Sequence, residues 1–374
     1  MKAVLKVQLI ILVFCFVLLA CPPINNGGDN NTPTPEVNPN STPALPLSVQ
    51  FKEVVTDNVE FLYQNDSFYE TIDNELGSFF IAKCELNFKI WKTVIDWAMI
   101  NGYTFTDGCG TMGYNNNGTT EGLDDSHPVT YISWRDAIVF SNALTDYYNK
   151  HNDNYSKNQD LDFVFYSDSS CDLEDIIKNA SAISGNPYFK TGGGNINTNL
   201  SLCISDGFRI CSEREWIMAA RWVGNYTVKP AADEIMSMDS DTGNCWYKQT
   251  QMSGIYDSEN NRLFQPGEIG VFDQDSTSSI ASKAANQLGL YDMAGNCDEF
   301  IFTDGGGSYA KGGAWMFVSD TGRISRTSSD YTNLNFYYNR ANGIRLAKSP
   351  SRDALNSDLS IDSQVQQNLN DMFK

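Results

Sequence analysis

Hydrophobic positions recur at helical spacing in three stretches of this chain. Between Asn87 and Met99, the residues Trp91, Val94, Ile95 and Ala98 fall three or four positions apart, which gathers them on one helix face. Asn87 stands where a side-chain oxygen caps the first turn. A second stripe, Ala137, Phe140, Leu144 and Tyr147, follows Ser133-Trp134-Arg135-Asp136, with an acidic residue three positions after the capping serine. The third opens on Ser212-Glu213-Arg214-Glu215, a full capping box, and Trp216, Ala219, Ala220 and Val223 form its buried side. Elsewhere the helical period is lost. Short strands are predicted at Phe163 to Tyr166 and Gly343 to Ala347, among loops rich in Gly, Asn, Ser and Asp. Ser167 to Asp206, with Gly192-Gly193-Gly194, has the character of a large insertion, and Asp353 to Lys374 that of a polar tail with weak helical character. Ordered loops carried on a few helices and short strands are where binding or catalysis usually resides.

The most apolar stretch stands apart from these elements. Behind Met1-Lys2 and Lys6, the run from Val7 to Leu19 has the length and flanks of a signal-peptide core and is short for a membrane span. It ends in Leu18-Leu19-Ala20-Cys21, which resembles the lipobox of bacterial lipoproteins, so Cys21 is the expected lipidation site. Pro22 to Pro46 is rich in Pro, Asn, Thr and Gly and has nothing to bury, as in a flexible stalk. The expected organisation is a signal peptide over 1–20, a lipidated stalk over 21–48, one folded domain over 49–348 and a tail over 349–374. The expected location is the cell envelope, with the lipid holding the domain on the outer surface of the outer membrane.

Composition narrows the partners. With 41% hydrophobic and 12% aromatic residues, the part beyond the stalk can bury a sizeable core. A formal charge of −20 repels nucleic acid and anionic headgroups at long range, so no nucleic-acid partner is expected and the membrane must be held by the acyl chain. Of nine cysteines, Cys15 leaves with the signal and Cys21 takes the lipid. Cys84, Cys109, Cys171, Cys203, Cys211, Cys245 and Cys297 remain, an odd number for which structural or partly disulfide-bonded roles are expected. No C-x-x-C spacing occurs, and two histidines, His127 and His151, make a zinc site a poor reading.

A string of motifs in one order carries a resemblance. Phe80-Ile81-Ala82-Lys83-Cys84-Glu85-Leu86-Asn87, Pro128 to Ala137, Gly207-Phe208-Arg209-Ile210-Cys211-Ser212-Glu213-Arg214-Glu215-Trp216 with Ala219-Ala220-Arg221, Asn286 to Phe300, Lys311-Gly312-Gly313-Ala314-Trp315 and Gly343-Ile344-Arg345-Leu346-Ala347 resemble, in sequence order, the motifs of formylglycine-generating-enzyme (sulfatase-modifying factor) domains. The resemblance spans roughly residues 50 to 348 and implies an α+β, C-type-lectin-like fold with loop insertions. Trp134, Trp216 and Trp315 are then expected to bury their rings, and Arg209, Arg221 and Arg345 to pair with acidic neighbours such as Glu85, Asp136 and Glu215. The resemblance further implies a calcium ion at Asp292 and Glu299, with backbone oxygens of Gly295 and Cys297. The family's oxidase binds copper through two cysteines after the G-G-S-W motif. Here those positions fall near Phe317 and Gly322, so no copper is expected.

What remains is the surface. Val318 to Asn342 is packed with Ser, Tyr and Asn, residues that supply rigid amphipathic area and adaptable hydrogen bonds. The window contains no Lys, Glu, Gln, Met or Trp, the types that cannot be reached by changing only the adenines of an Asn codon. With the lipobox and the lectin-like motifs, it resembles the treponemal class of variable lipoproteins diversified by retroelements. A ligand-binding face is therefore expected from Trp315, Phe317, Ser319, Asp320, Ser328, Ser329, Tyr331, Asn333, Asn335, Tyr337, Tyr338 and Asn339, for a protein or glycan ligand, on a monomer. Two readings compete with it. One is an extracytoplasmic enzyme reusing the fold through a reactive thiol near Cys211 or Cys245; the other is an envelope component with a fixed binding surface.

Overall fold

The computed structural model describes residues 49–55, 61–64, 70–73, 76–106, 110–151, 160–191, 194–196, 200–226, 236–238, 243–248, 250–257, 262–303, 308–327, 340–350 and 360–373. The expected signal segment, Cys21, the stalk and Cys109 lie outside the described residues.

The capped stripes form the expected helices. In α1 (Phe88–Ile100), Asn87 Oδ1 accepts from Ile90 N at 3.1 Å and Trp91, Val94, Ile95 and Ala98 are buried. At the start of α2 (Trp134–His151), Ser133 N donates to Asp136 Oδ2 at 2.9 Å while Asp136 N donates to Ser133 Oγ at 3.1 Å. Asp136 also accepts from Thr106 N at 2.7 Å, so it staples a loop to the helix start instead of pairing with an arginine. In α3 (Glu213–Arg221), Ser212 Oγ accepts from Glu215 N at 3.2 Å and Glu215 Oε2 from Ser212 N at 2.9 Å.

Short strands far apart in sequence make the main sheet: β1 (Phe51–Val54), β2 (Phe79–Ala82), β3 (Arg209–Ser212), β4 (Asp298–Phe302), β5 (Ser308–Lys311), β6 (Asn342–Ile344) and β7 (Leu346–Lys348). Their order is β1-β2-β7-β3-β4-β5, with β6 beside the first half of β4. β4 runs parallel to β3 and β6, and the other pairs are antiparallel. The single strand expected over 343–347 is thus broken at Arg345, where the chain passes from pairing with β4 to pairing with β3 and β2. Alternate residues face opposite clusters, as the strand period requires. Ile210, Phe300, Phe302 and Leu346 pack with α1 and α2, whereas Cys211, Ile301 and Ala347 pack with α3 and Trp246 of a second small sheet.

Two other expectations are corrected. Phe163 to Tyr166 is no strand, and only Tyr166 makes isolated bridges, to Ile176 and Tyr188. A side chain of α2 replaces the partner strand there: Asn142 Nδ2 donates to Phe165 O at 2.8 Å and Asn142 Oδ1 accepts from Phe165 N at 3.2 Å. The polar tail contains α4 (Ser360–Met372), whose Val365 and Leu369, with Phe373 just beyond, join the main core. Gln366 fastens it to the first strand, accepting from Phe51 N at 2.8 Å and donating to Val49 O at 2.7 Å. The folded domain therefore extends past residue 348.

Buried arginines link the layers. Arg345, fully buried, donates to both oxygens of Glu299 (2.6 Å from Nη2, 2.9 Å from Nε), to Ala82 O at 2.9 Å and to Tyr291 O at 2.7 Å. Trp216 Nε1 completes the carboxylate's shell at 2.7 Å. Arg345 thus pairs with Glu299, an acid outside the expected examples Glu85, Asp136 and Glu215. Arg209 forms the bidentate pair with Glu215, at 2.6 Å for both bonds, and Arg221 Nε donates to Tyr247 O at 2.7 Å. Removing one member of such a pair strands a buried charge, so Glu299→Gln is expected to lower stability by about 3–5 kcal/mol. Asp320→Ala, which breaks the exposed 2.9 Å pair with Arg323, should cost under about 1 kcal/mol. Chemical denaturation of both variants checks the contrast.

Candidate functional site

The 318–342 segment is presented by a framework that begins at the end of β5. Gly312 and Gly313 take φ of 109° and 74°, a backbone region that side chains disfavour, and an added Cβ on Gly313 would lie 2.8 Å from Gly322 N. This tight reversal is fixed by Gly313 N donating to Asp298 Oδ1 at 2.7 Å. Trp315 follows. Its backbone N donates to Asn296 O at 3.0 Å, its indole Nε1 donates to Arg340 O at 3.3 Å, and its ring lies fully buried with Val271, Ala314 and Ala341. Tyr114 and Phe317 cover the edges of that small cluster. One side chain thus ties residue 315, just before the segment, to residue 340, near its end.

Asn296 is the hub beneath. Held at φ 65°, it donates from Nδ2 to Glu85 Oε2 at 2.6 Å and accepts at Oδ1 from Ser278 N at 2.9 Å. The other oxygen of Glu85 accepts from Cys297 N at 2.8 Å. Residues 273 and 274 lie against the start of the segment, with Asp273 N donating to Phe317 O at 2.9 Å and Gln274 N to Trp315 O at 2.8 Å. Lys311, buried, reaches Thr327 Oγ1 at 2.9 Å and Glu213 at 3.3 Å, steadying the segment's first part.

Of the twelve expected contact residues, Ser328, Ser329, Tyr331, Asn333, Asn335, Tyr337, Tyr338 and Asn339 lie outside the described residues. Trp315 is corrected from contact to anchor, because its ring fills the cluster under the face. Phe317 and Ser319 are half-buried, and Asp320 is exposed in a short turn, Ser319–Gly322. The sequence reading missed Met316 and Val318, 41% and 62% exposed beside the anchor, and Tyr114, whose ring receives the Arg340 guanidinium at 4.8 Å. The run Trp315 to Val318 was a local signal for the first two; nothing local joins Tyr114 to Arg340.

The positions corresponding to the family's cysteines have other uses here. A Cβ added to Gly322 would lie 2.3 Å from Phe272 Cζ, and Cβ atoms on Gly270 and Gly295 would lie 2.3 Å and 3.0 Å from atoms of the same ring. Phe272 thus occupies a slot that three side-chain-free positions create. At Cys211 the surroundings do not favour a reactive thiol. Among the described residues every cysteine is buried. Burial, with Glu215 and Glu299 nearby, pushes the Cys211 thiol well up, and burial pushes Cys203 up to about 11. An activated thiolate needs the opposite environment.

The expected calcium ligands do not form a cage. Both oxygens of Glu299 are committed to Arg345 and Trp216, leaving Asp292 as the side-chain donor. Asp292 Oδ2 accepts from Ala281 N at 2.6 Å, and its buried Oδ1 has no hydrogen-bond partner. Calcium takes six to eight oxygens, and among the described residues no group of three or more His, Cys, Asp or Glu is placed to hold a metal. The set Asp292, Gly295, Cys297 and Glu299 therefore does not fit the ion, because a guanidinium already stands on the glutamate. Burial instead raises the proton affinity of the remaining carboxyls. Asp292 is pushed up to about 6, and Glu85 is raised by burial and by Asp292 and Glu299.

With this geometry in hand, the chain belongs to the sulfatase-modifying factor enzyme 1-like domain family, whose model matches residues 52–350. Its sheet, helices and long ordered loops are the α+β, C-type-lectin-like fold of that family. Among solved structures, CarF is 21% identical over 81% of this chain and 98% of its own, with a TM-score of 0.49. Treponema denticola variable protein 1 is 17% identical over 80% and 95%, with a TM-score of 0.46. PvdO from Pseudomonas aeruginosa is 12% identical over 80% and 92%, with a TM-score of 0.39. No curated protein matches the chain by sequence.

Two outcomes follow from the packing and the buried acids. Gly322→Ala should lower the melting temperature, and adding Phe272→Leu should restore part of the loss, because the clash is with the ring; a thermal melt of both variants decides it. Asp292 holds its proton more tightly folded than unfolded, so the stability it contributes is full below about pH 4 and is lost as pH rises through about 6. Asp292→Asn should therefore gain stability relative to the natural chain as pH rises across that window, measured by denaturant titration at several pH values.

Proposed function

We propose that this protein is a lipid-anchored display module that binds an external protein or glycan through the 318–342 segment. The observation that carries the reading is the Trp315 tie: a buried indole joins the chain just before the segment to Arg340 near its end. A face whose root is fixed from below accepts side-chain changes without loss of the fold, which is what a diversified segment requires. The composition of that segment agrees, since it holds only residue types that adenine changes in Asn codons can produce. Cys21 and the stalk would then hold the face away from the cell, in the outer envelope. No formylglycine-forming chemistry belongs to this reading, because Phe317 and Gly322 offer no sulfur to copper.

Coding sequences from different isolates test the diversification directly. Differences should concentrate in codons 318–342 and at adenine positions, with Trp315 constant; a segment as constant as the rest of the domain would sink that part of the reading. Palmitate labelling in a bacterial host checks the anchor, with incorporation lost in Cys21→Ser.

A further inference from the structure

Arg340 is exposed and differs from the arginines that pair with surface carboxylates. Arg323 pairs with Asp320 at 2.9 Å and Arg262 with Glu268 at 2.7 Å, as expected where Asp and Glu number 46 against 26 Lys and Arg. Among the described residues the Arg340 guanidinium has no ion pair or hydrogen bond. It lies over the Tyr114 ring at 4.8 Å, and an added Cβ on Gly118 would sit 3.2 Å from its Nη2. The root of the side chain is fixed as well, by the indole bond to Arg340 O. A guanidinium held over an aromatic face can still present N–H donors at its edge, and its fork matches the two oxygens of a carboxylate.

We propose that Arg340 on Tyr114 is a carboxylate-binding subsite at the edge of the display face, and that the ligand of this face is a protein presenting an acidic side chain beside apolar ones. This rests on the display reading and deepens it. Charge complementarity selects the acid: the 318–342 segment carries three arginines and two aspartates on a chain of net charge −20. Met316 and Val318, exposed beside the anchor, supply the apolar contact and favour a protein over a sugar acid. The overall negative charge opposes an acidic partner only at a distance, since physiological salt screens beyond about 8 Å, whereas contact pairing survives. Tyr114 and Gly118 lie outside the segment and Arg340 inside it, so the platform belongs to the framework while the guanidinium belongs to the segment.

The test titrates the intact protein with two blocked peptides, acetyl-Leu-Glu-Leu-Glu-Leu amide and its glutamine counterpart, followed by NMR of the arginine Nε–H signals. The glutamate peptide should bind at least fivefold more tightly. Arg340→Gln should abolish the preference at an unchanged melting temperature, and Tyr114→Leu should reduce it. Equal binding of the two peptides, no binding of either at millimolar concentration, or a preference that persists in Arg340→Gln would overturn the subsite. Tighter binding of sialyllactose than of the glutamate peptide would overturn the choice of a protein ligand. The isolate comparison reads diversification independently, so the subsite and the display reading can fail separately.

Discussion

The Arg345–Glu299 pair is the constraint on which the rest of the fold depends. It sits where the chain leaves β6 for β7, and the guanidinium spans from the central strand β4 to Ala82 O on β2 and Tyr291 O in the loop before β4. Trp216 Nε1 adds α3 to the same carboxylate. Charges so deeply buried persist only when their hydrogen-bonding capacity is met, and here the partners of the pair come from different parts of the domain. Moving any of these elements separately would leave a buried ionic group unmatched. That requirement holds strands from distant parts of the chain in one register.

The residues that flank the 318–342 segment are joined to this frame through short links. β4 begins at Asp298, which receives Gly313 N; just before it, Asn296 receives Trp315 N and is itself held by Glu85. Phe272 wedges among three glycines on the same side. The buried carboxyls Glu85 and Asp292 outnumber the cation available to them, and raised proton affinity is the physical consequence. Glu85 and Asp292 are thus buried, while Met316, Val318, Asp320 and Arg340 are exposed.

The helices were legible because their signals are local. A cap and a stripe lie within one or two turns, and Asn87, Ser133 and Ser212 each cap as their spacing implies. The strand expected at Phe163 failed because Asn142, on a helix, satisfies that backbone. The tail was read as polar because Val365, Leu369 and Phe373 are few; their four-residue spacing becomes a buried stripe only against the core. Glu299 was read as a metal ligand because nothing near it in sequence announces Arg345.

By itself, the sequence determined the family, the positions of the capped helices, the tryptophans that enter the core and the unusual composition of the closing segment. These follow from residue types and spacings that act over a few positions. Only the tertiary structure decided that Trp315 is an anchor, that Gly322 lies against a phenyl ring, that Glu299 belongs to Arg345 and that Arg340 rests on Tyr114. Each of these is a contact between residues brought together by the sheet, and its energy depends on burial and distance that no local pattern encodes.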